Sequence, residues 1–237
     1  MRAGIIAAGH GERLRAAGVT TPKALLPIAG RPLIARAIAT ARSAGASSVA
    51  CIVNAETDAV RRYLEETDFG IPVEVIQRTT ASSAESFLAL RPLLTDAPFL
   101  LLTVDAVVAP AAVARVAAEA AAHPDAAGVL GLTTIVDDEK PLWAEIDRSG
   151  RILTLGDPTR AHHVTAGVYF LKPVVYSLAD ARASSAWSAF RQFLGALLAH
   201  GHLLYGHDVG ACIDVDRPQD IAAAERLLGL RGGDGVA

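Results

Sequence analysis

The stretch "GIIAAGHGERLRAAGVTTPKALLPIAGRPLI", residues 4–34, opens on a short apolar strand and continues as a loop rich in Gly, Arg, Thr, Pro and Lys. A small-grained, basic loop set directly after a strand is suited to wrapping an anion. Gly9 and Gly11 admit positive φ and close backbone approach, which lets amide N–H groups point at phosphate oxygens. Arg13 adds a planar fork for phosphate and Lys23 a compact point charge, with Thr20 to Pro22 stiffening the approach to the lysine. A lone Gly-x-Gly would equally describe a surface loop with scattered basic residues.

Working outward, apolar runs alternate with helical stretches. "AGIIAA" (3–8), "SVACIVN" (48–54), "IPVEVIQ" (71–77) and "PFLLLTVD" (98–105) read as strands. The last is apolar throughout, as a parallel strand covered on both faces requires. Between and after them lie predicted helices at 31–46, 57–66, 83–94 and 111–123, the first with Pro32 in its opening turn and the second opened by a Thr57/Asp58 cap. This alternation predicts an α/β fold with a doubly wound parallel sheet. The second half holds strand-like pieces separated by turn signals such as "DRSG", which predict an antiparallel extension of the same sheet. Helices around 173–182 and 185–200, a strand "ACIDVD" and a final helix complete a single domain over 1–230, with a disordered tail at 231–237.

The bulk numbers exclude several classes. The 237 residues carry a formal net charge of −3, which leaves no footprint for nucleic acid or an anionic membrane, so any bound anion must be held locally. Two cysteines, Cys51 and Cys212, each inside an apolar run, exclude a disulfide framework or a zinc knuckle and fit a reducing compartment. No run reaches the roughly 18 apolar residues of a membrane span, and the opening strand is too short for a signal peptide. The expectation is a cytoplasmic protein, with oligomeric state open.

In an open parallel sheet, ligands sit beyond the carboxyl ends of the strands. That rule gathers the opening loop, the residues after Gln77, Asp105, and Asp214 or Asp216 at one edge. An acid closing an apolar strand is costly unless it meets solvent or a cation, which singles out Asp105. Asp214 and Asp216, two apart in a predicted strand, share a face. Carboxylates with open positions suit Mg²⁺, which takes oxygen ligands and completes its shell with water and phosphate.

The order of Gly-x-Gly-x-Arg, Thr-Pro-Lys and Pro-x-x-Gly-Arg-Pro-Leu-Ile resembles the signature of the nucleotidyltransferases that make activated sugars and alcohols, the sugar-nucleotide pyrophosphorylases and their MobA-like relatives. The resemblance implies the Rossmann-like mixed sheet of the nucleotide-diphospho-sugar transferases. It implies nucleotide binding by Ala7, Ala8, Gly9, Gly11, Arg13 and Lys23, with Gln77 at the base. Ser82 either contacts the base or caps the helix that follows it. Arg13, Lys23 and Asp105 become the catalytic set. Asp105, with Asp214 or Asp216, becomes the magnesium site, and Thr165 and Gly167 in "VTAGVYF" border the acceptor. Relatives acting on sugar 1-phosphates carry a lysine for the acceptor phosphate where this chain has Asp157, so either Arg160, His162 or His163 takes its place or the acceptor is not a hexose 1-phosphate. Lys140 precedes the hairpin rather than following it and is not the equivalent.

The implied function is Mg²⁺-dependent transfer of a nucleoside monophosphate from a nucleoside triphosphate to a phosphorylated sugar, polyol or amino alcohol, releasing pyrophosphate. Two alternatives stay open: the molybdenum-cofactor branch, with a pterin phosphate as acceptor, and a catalytically degenerate nucleotide-binding regulatory module. A redox enzyme on a dinucleotide fold would rest on Glu56 alone. No appended acyltransferase or β-helix domain is expected after the last helix.

Overall fold

A computed structural model describes residues 1–136, 141–181 and 186–229; Lys140 and the tail at 231–237 lie outside the described residues. In chain order the elements are β1 (Arg2–Ala7), α1 (Glu12–Ala16), β2 (Pro27–Ile28), β3 (Arg31–Pro32), α2 (Leu33–Ser43), β4 (Ser48–Val53), α3 (Asp58–Glu66), β5 (Val73–Gln77), α4 (Ser83–Ala89), β6 (Phe99–Thr103) and β7 (Ala106–Val108). They continue as α5 (Pro110–Ala122), β8 (Gly128–Thr133), β9 (Trp143–Ile146), β10 (Ile152–Leu155), β11 (His163–Leu171), α6 (Ser177–Asp180), α7 (Phe190–Ala199), β12 (Leu204–Asp208), β13 (Cys212–Asp214) and α8 (Pro218–Leu227).

Four parallel strands run β5-β4-β1-β6, which puts the switch in strand order between β1 and β6. Strand β11 then pairs antiparallel with β6 and continues to β9 and β10, while its other edge pairs with β8, which carries β12 in parallel. The expected doubly wound sheet with an antiparallel extension is therefore present. Period-two alternation makes it doubly wound: Ala3, Ile5 and Ala7 of β1 enter a core under α2, α3 and α5, and Ile6 enters the opposite core under α4 and α7. That second core is aromatic, with Phe87 stacked on Tyr176 at 5.1 Å and tilted against Phe190 and Phe193.

Several boundaries differ from the sequence expectation, each for a local reason. Helix α4 stops at Ala89 and gives way to a 3₁₀ turn at Arg91–Leu93, because Pro92 has no N–H to continue it. Pro32 stands just before α2 rather than inside its first turn. The Thr57 hydroxyl donates to the carbonyl of Asn54 (3.0 Å) instead of capping α3. Strand β6 ends at Thr103, so Asp105 sits in the turn leading to β7 rather than in the strand. Likewise β13 ends at Asp214, and Asp216 lies beyond it. Strand β12 was not anticipated, since "LYGHD" has weak strand character and pairing along β8 decides its conformation.

Candidate active site

A cleft of ≈ 560 Å³ opens beyond the carboxyl ends of β1 and β6. Among its walls are the opening loop from Ala8 to Arg13, Lys23, Thr80 to Ser83, the Thr103–Asp105 turn, Thr165, Gly167, Arg191, Asp214 and Asp216. The loop contains the short helix α1, entered through Gly11 at φ 62°. A Cβ on Gly11 would lie 3.0 Å from Cβ of Lys23, so glycine here serves both the left-handed backbone and the close passage of the lysine. Gly9 does not use positive φ, and nothing stands within 4 Å of where its Cβ would be.

Lys23 starts a 3₁₀ turn behind Pro22 and is buried, with its ammonium inserted between two carboxylates. Its Nζ donates to Oδ2 of Asp105 at 2.6 Å and to Oδ1 of Asp216, whose Oδ2 accepts from Arg13 Nη1 at 2.6 Å. Burial works to lower the Lys23 pKa, but the charges of Asp105 and Asp216 outweigh it and hold the ammonium protonated well above the usual lysine range. Burial likewise works to raise the Asp105 carboxyl, yet the charge and hydrogen bond of Lys23 keep it below the ordinary carboxylate value.

The backbone around these acids is pinned. Val104 N–H donates to Ile6 O (3.1 Å), and Asp105 O accepts from Val215 N–H (3.1 Å). Asp220, in the first turn of α8, accepts from the backbone N–H groups of Asp216 (2.9 Å) and Arg217 (2.6 Å) and so fixes the turn that presents Asp216.

The other expected residues divide. Ala8, Gly9, Gly11, Arg13, Lys23, Asp105, Asp214, Asp216, Thr165 and Gly167 all border the cleft. Ser82 borders it too, but its hydroxyl caps α4 by accepting from Glu85 N–H (3.1 Å) and donates to Trp187 O (3.0 Å). Ala7 turns its side chain into the core, as strand alternation next to Ile6 and Ala8 requires. Gln77 is not part of the cleft wall: its amide donates to Ala55 O (3.3 Å) on the side of α3. Arg160 also lies outside, largely exposed and paired with Glu145 at 3.2 Å. Asp157 folds back on its own turn by accepting from Thr159. Glu56 is exposed and outside the cleft.

Residues that the sequence reading passed over complete the site. Arg191, the second residue of α7, reaches the cleft, and its only sequence signal was a basic residue opening a helix otherwise apolar. Buried Asn54 ties three strand ends together: its amide donates to Ala8 O (3.3 Å), and its carbonyl accepts from Glu56 N–H (2.9 Å) and the Thr79 hydroxyl (3.1 Å). The His10 ring rests on the same amide (3.1 Å). Cys51 and Cys212 are both buried, and burial pushes their thiols well above the range of a reactive cysteine.

Basic side chains interleaved with carboxylates, in a cleft at the switch point of a doubly wound sheet, place this chain in the class of α/β proteins whose ligands sit beyond the strand ends. Residues 3–194 match the family described as the MobA-like NTP transferase domain, and the chain belongs to that family. It is 36% identical to the bifunctional protein GlmU of Paraburkholderia phymatum over 54% of this chain and 27% of that protein. It is 28% identical to a glucose-1-phosphate thymidylyltransferase of Streptomyces griseus over 79% of this chain and 53% of that protein. The chain thus spans about a quarter to a half of the length of these relatives. The fold is shared with the inositol-1-phosphate CTP transferase from T. maritima at a TM-score of 0.82 and 21% identity, covering 99% of this chain and 98% of that one. A putative glucose-1-phosphate thymidylyltransferase from Bacillus anthracis gives 0.83 at 19% identity, covering 100% and 98%. Among the described residues, no helix is long and apolar enough to cross a membrane.

Proposed function

We propose that the chain transfers a nucleoside monophosphate from a nucleoside triphosphate to a small phosphorylated sugar, polyol or amino alcohol, and that it does so with Mg²⁺. The observation carrying this reading is the row Arg13–Asp216–Lys23–Asp105, which brings cations for phosphate and carboxylates for a metal into one cleft. No group of three or more His, Cys, Asp or Glu side chains among the described residues is arranged to hold a metal, so magnesium would take two carboxylates, Asp105 with Asp214 or Asp216, and complete its shell with water and phosphate oxygens. When bound, Mg²⁺ neutralises charge on the phosphates and polarises the reacting phosphoryl group.

The chain's own residues supply position and charge. Arg13 and Lys23 trade their carboxylate partners for phosphate oxygens as the nucleotide enters, and Lys23, anchored by the turn behind Pro22, faces the α-phosphate. A phosphate-monoester oxygen of the acceptor attacks the α-phosphorus in line, the α–β anhydride bond breaks, and pyrophosphate leaves with the electron pair. A phosphate monoester has a second pKa near 6 and is largely ionised at neutral pH, so no general base is required. Catalysis then rests on alignment and electrostatic stabilisation. Strand β11, set in the antiparallel extension, lines the cleft with Thr165, Gly167 and Tyr169 and offers a wall for the acceptor, which favours a phosphosugar or phospho-alcohol over the pterin of the molybdenum-cofactor branch.

Arg191 replaces the acceptor-phosphate lysine, since Asp157 and Arg160 point elsewhere. Arg191→Ala is expected to raise KM for the acceptor about tenfold or more while leaving KM for the nucleotide within about twofold, consistent with the loss of one charge-assisted phosphate contact. Initial rates with each substrate varied in turn check this, and an unchanged acceptor KM excludes the role.

The function itself is tested by pyrophosphate release with Mg²⁺ across the four ribonucleoside triphosphates and dTTP, each paired with hexose 1-phosphates, inositol phosphate, phosphocholine and glycerol phosphate. Release that depends on one pairing is the expected result. Failure of every nucleotide to bind would overturn the reading.

A further inference from the structure

The loops that follow β1, β4 and β5 meet at one edge of the sheet, and a single side chain touches all of them. Asn54, the first residue after β4, is buried and stands behind the cleft wall without being part of it. The chemistry of its partners fixes which way its amide points. The Ala8 carbonyl can only accept, so it faces Nδ2 (3.3 Å), and the Glu56 N–H can only donate, so it faces Oδ1 (2.9 Å). Each end then reaches one further group. Nδ2 lies 3.1 Å from Nε2 of His10, between the glycines of the opening loop, and Oδ1 accepts from the Thr79 hydroxyl at 3.1 Å.

Both loops have need of this tie. Nothing stands within 4 Å of a Cβ built on Gly9, and Gly11 is in the left-handed region, so His10 is flanked by the two residues with the widest backbone freedom. A segment of that composition keeps one conformation only where contacts from outside offset the entropy of ordering it. The loop after β5 is held from two sides by adjacent residues. The Thr79 hydroxyl goes to Asn54, while the Thr80 hydroxyl meets Oγ of buried Ser86 in α4 at 2.6 Å. Thr80 lines the same cleft as Ala8, Gly9, His10 and Gly11.

We propose that Asn54 is a positioning residue for the nucleotide: its amide joins the glycine loop to the Thr79–Thr80 loop, so that the nucleotide meets one preformed surface instead of two independent loops. This rests on the nucleotide reading given above. Pre-organisation of this kind lowers the ordering cost of binding, so its loss appears in nucleotide affinity.

The test is isothermal titration calorimetry with Mg²⁺ and no acceptor, using the tightest binder to the wild type among the four ribonucleoside triphosphates and dTTP. The proteins are wild type, Asn54→Ala, Thr79→Val and Thr79→Ser. The nucleotide Kd is expected to weaken about tenfold or more in N54A and about three- to tenfold in T79V, and to stay within about twofold of wild type in T79S, which keeps the hydroxyl. Binding stoichiometry is expected to be unchanged in all of them. A residue that only supported the fold would lower the stoichiometry by the unfolded fraction and leave the Kd of the folded protein where it was. If N54A does not fold, T79V, which touches only the Oδ1 end, carries the expectation. A wild-type Kd in either N54A or T79V, a fall in stoichiometry alone, or T79S as weak as T79V overturns the proposal by itself. A wild-type protein that binds none of these nucleotides overturns the nucleotide reading and this proposal with it.

Discussion

Lys23→Met is expected to lose about a thousandfold or more in turnover and, at the same time, to become more dependent on magnesium for its stability than the wild type. Both effects follow from one geometry. In the wild type the buried ammonium neutralises Asp105 and Asp216 together. Methionine of similar length leaves the two carboxylates facing each other without the ammonium between them, while Arg13 still pairs with Asp216. The melting temperature should fall by several degrees without metal, as expected on removing one member of a buried ion pair, and millimolar Mg²⁺ should restore more of it than it adds to the wild type.

The pH dependence carries a sign that checks the same idea. The Lys23 pKa is raised, so its contribution is complete below about 10.4 and is lost only as pH rises through its folded value. The Asp105 pKa is lowered, so its contribution is present above about 3.9 and is lost as pH falls through its folded value. Between those limits the wild-type pair adds no slope. Without Lys23, partial burial and the facing Asp216 carboxylate raise the folded pKa of Asp105, so the variant's deficit should grow as pH rises above about 3.9. Thermal melts across that range, with and without Mg²⁺, measure it. A variant that keeps wild-type turnover would remove Lys23 from the mechanism, and a melting temperature indifferent to Mg²⁺ in both proteins would remove the carboxylates from the metal site.

Gly167→Ala is the second large effect, here on the fold. A Cβ at this position would lie 2.3 Å from Thr103 Oγ1 and 2.6 Å from Ala106 Cβ, both closer than van der Waals contact permits. The backbone at φ 66° is also one that a residue with a side chain adopts only at a cost of about 1–2 kcal/mol. Together these should destabilise by at least about 3 kcal/mol, which in a chain of this size lowers the melting temperature by about 10 °C. Adding Thr103→Ala should recover part of that loss by removing the nearer clash, while the backbone strain and the contact with Ala106 remain. A single variant melting within 2 °C of the wild type would show that β11 can relax at this point.

Much of this was legible in the opening loop and the strand pattern. The Gly-x-Gly-x-Arg and Thr-Pro-Lys elements carry their chemistry locally, because the backbone freedom of Gly11 and the stiffness around Pro22 are properties of short sequence. Asp105 stood out because an acid following an apolar strand needs a reason. Gln77 and Arg160 misled for the same kind of reason as each other: their distance along the chain from the loop was right, but the face on which a side chain leaves a strand end or a turn depends on neighbours far away. Asn54 and the turn-fixing role of Asp220 were missed because each acts through backbone groups or a partner distant in sequence, and Arg191 because only the packing of α7 brings it to the cleft; such relations leave no local pattern.

The sequence alone determined the α/β class, the glycine-rich basic loop after the first strand and the acids that share its cleft, since periodicity, glycine placement and charge type are written residue by residue. Only the tertiary structure decided that Lys23 stands between Asp105 and Asp216, that the pairing of β11 shifts register around Gly167 where the Thr103 hydroxyl lies close, and that Arg191 borders the cleft. Those relations join residues separated by tens to hundreds of positions, and they exist only once the packing of the sheet has brought its strand ends together.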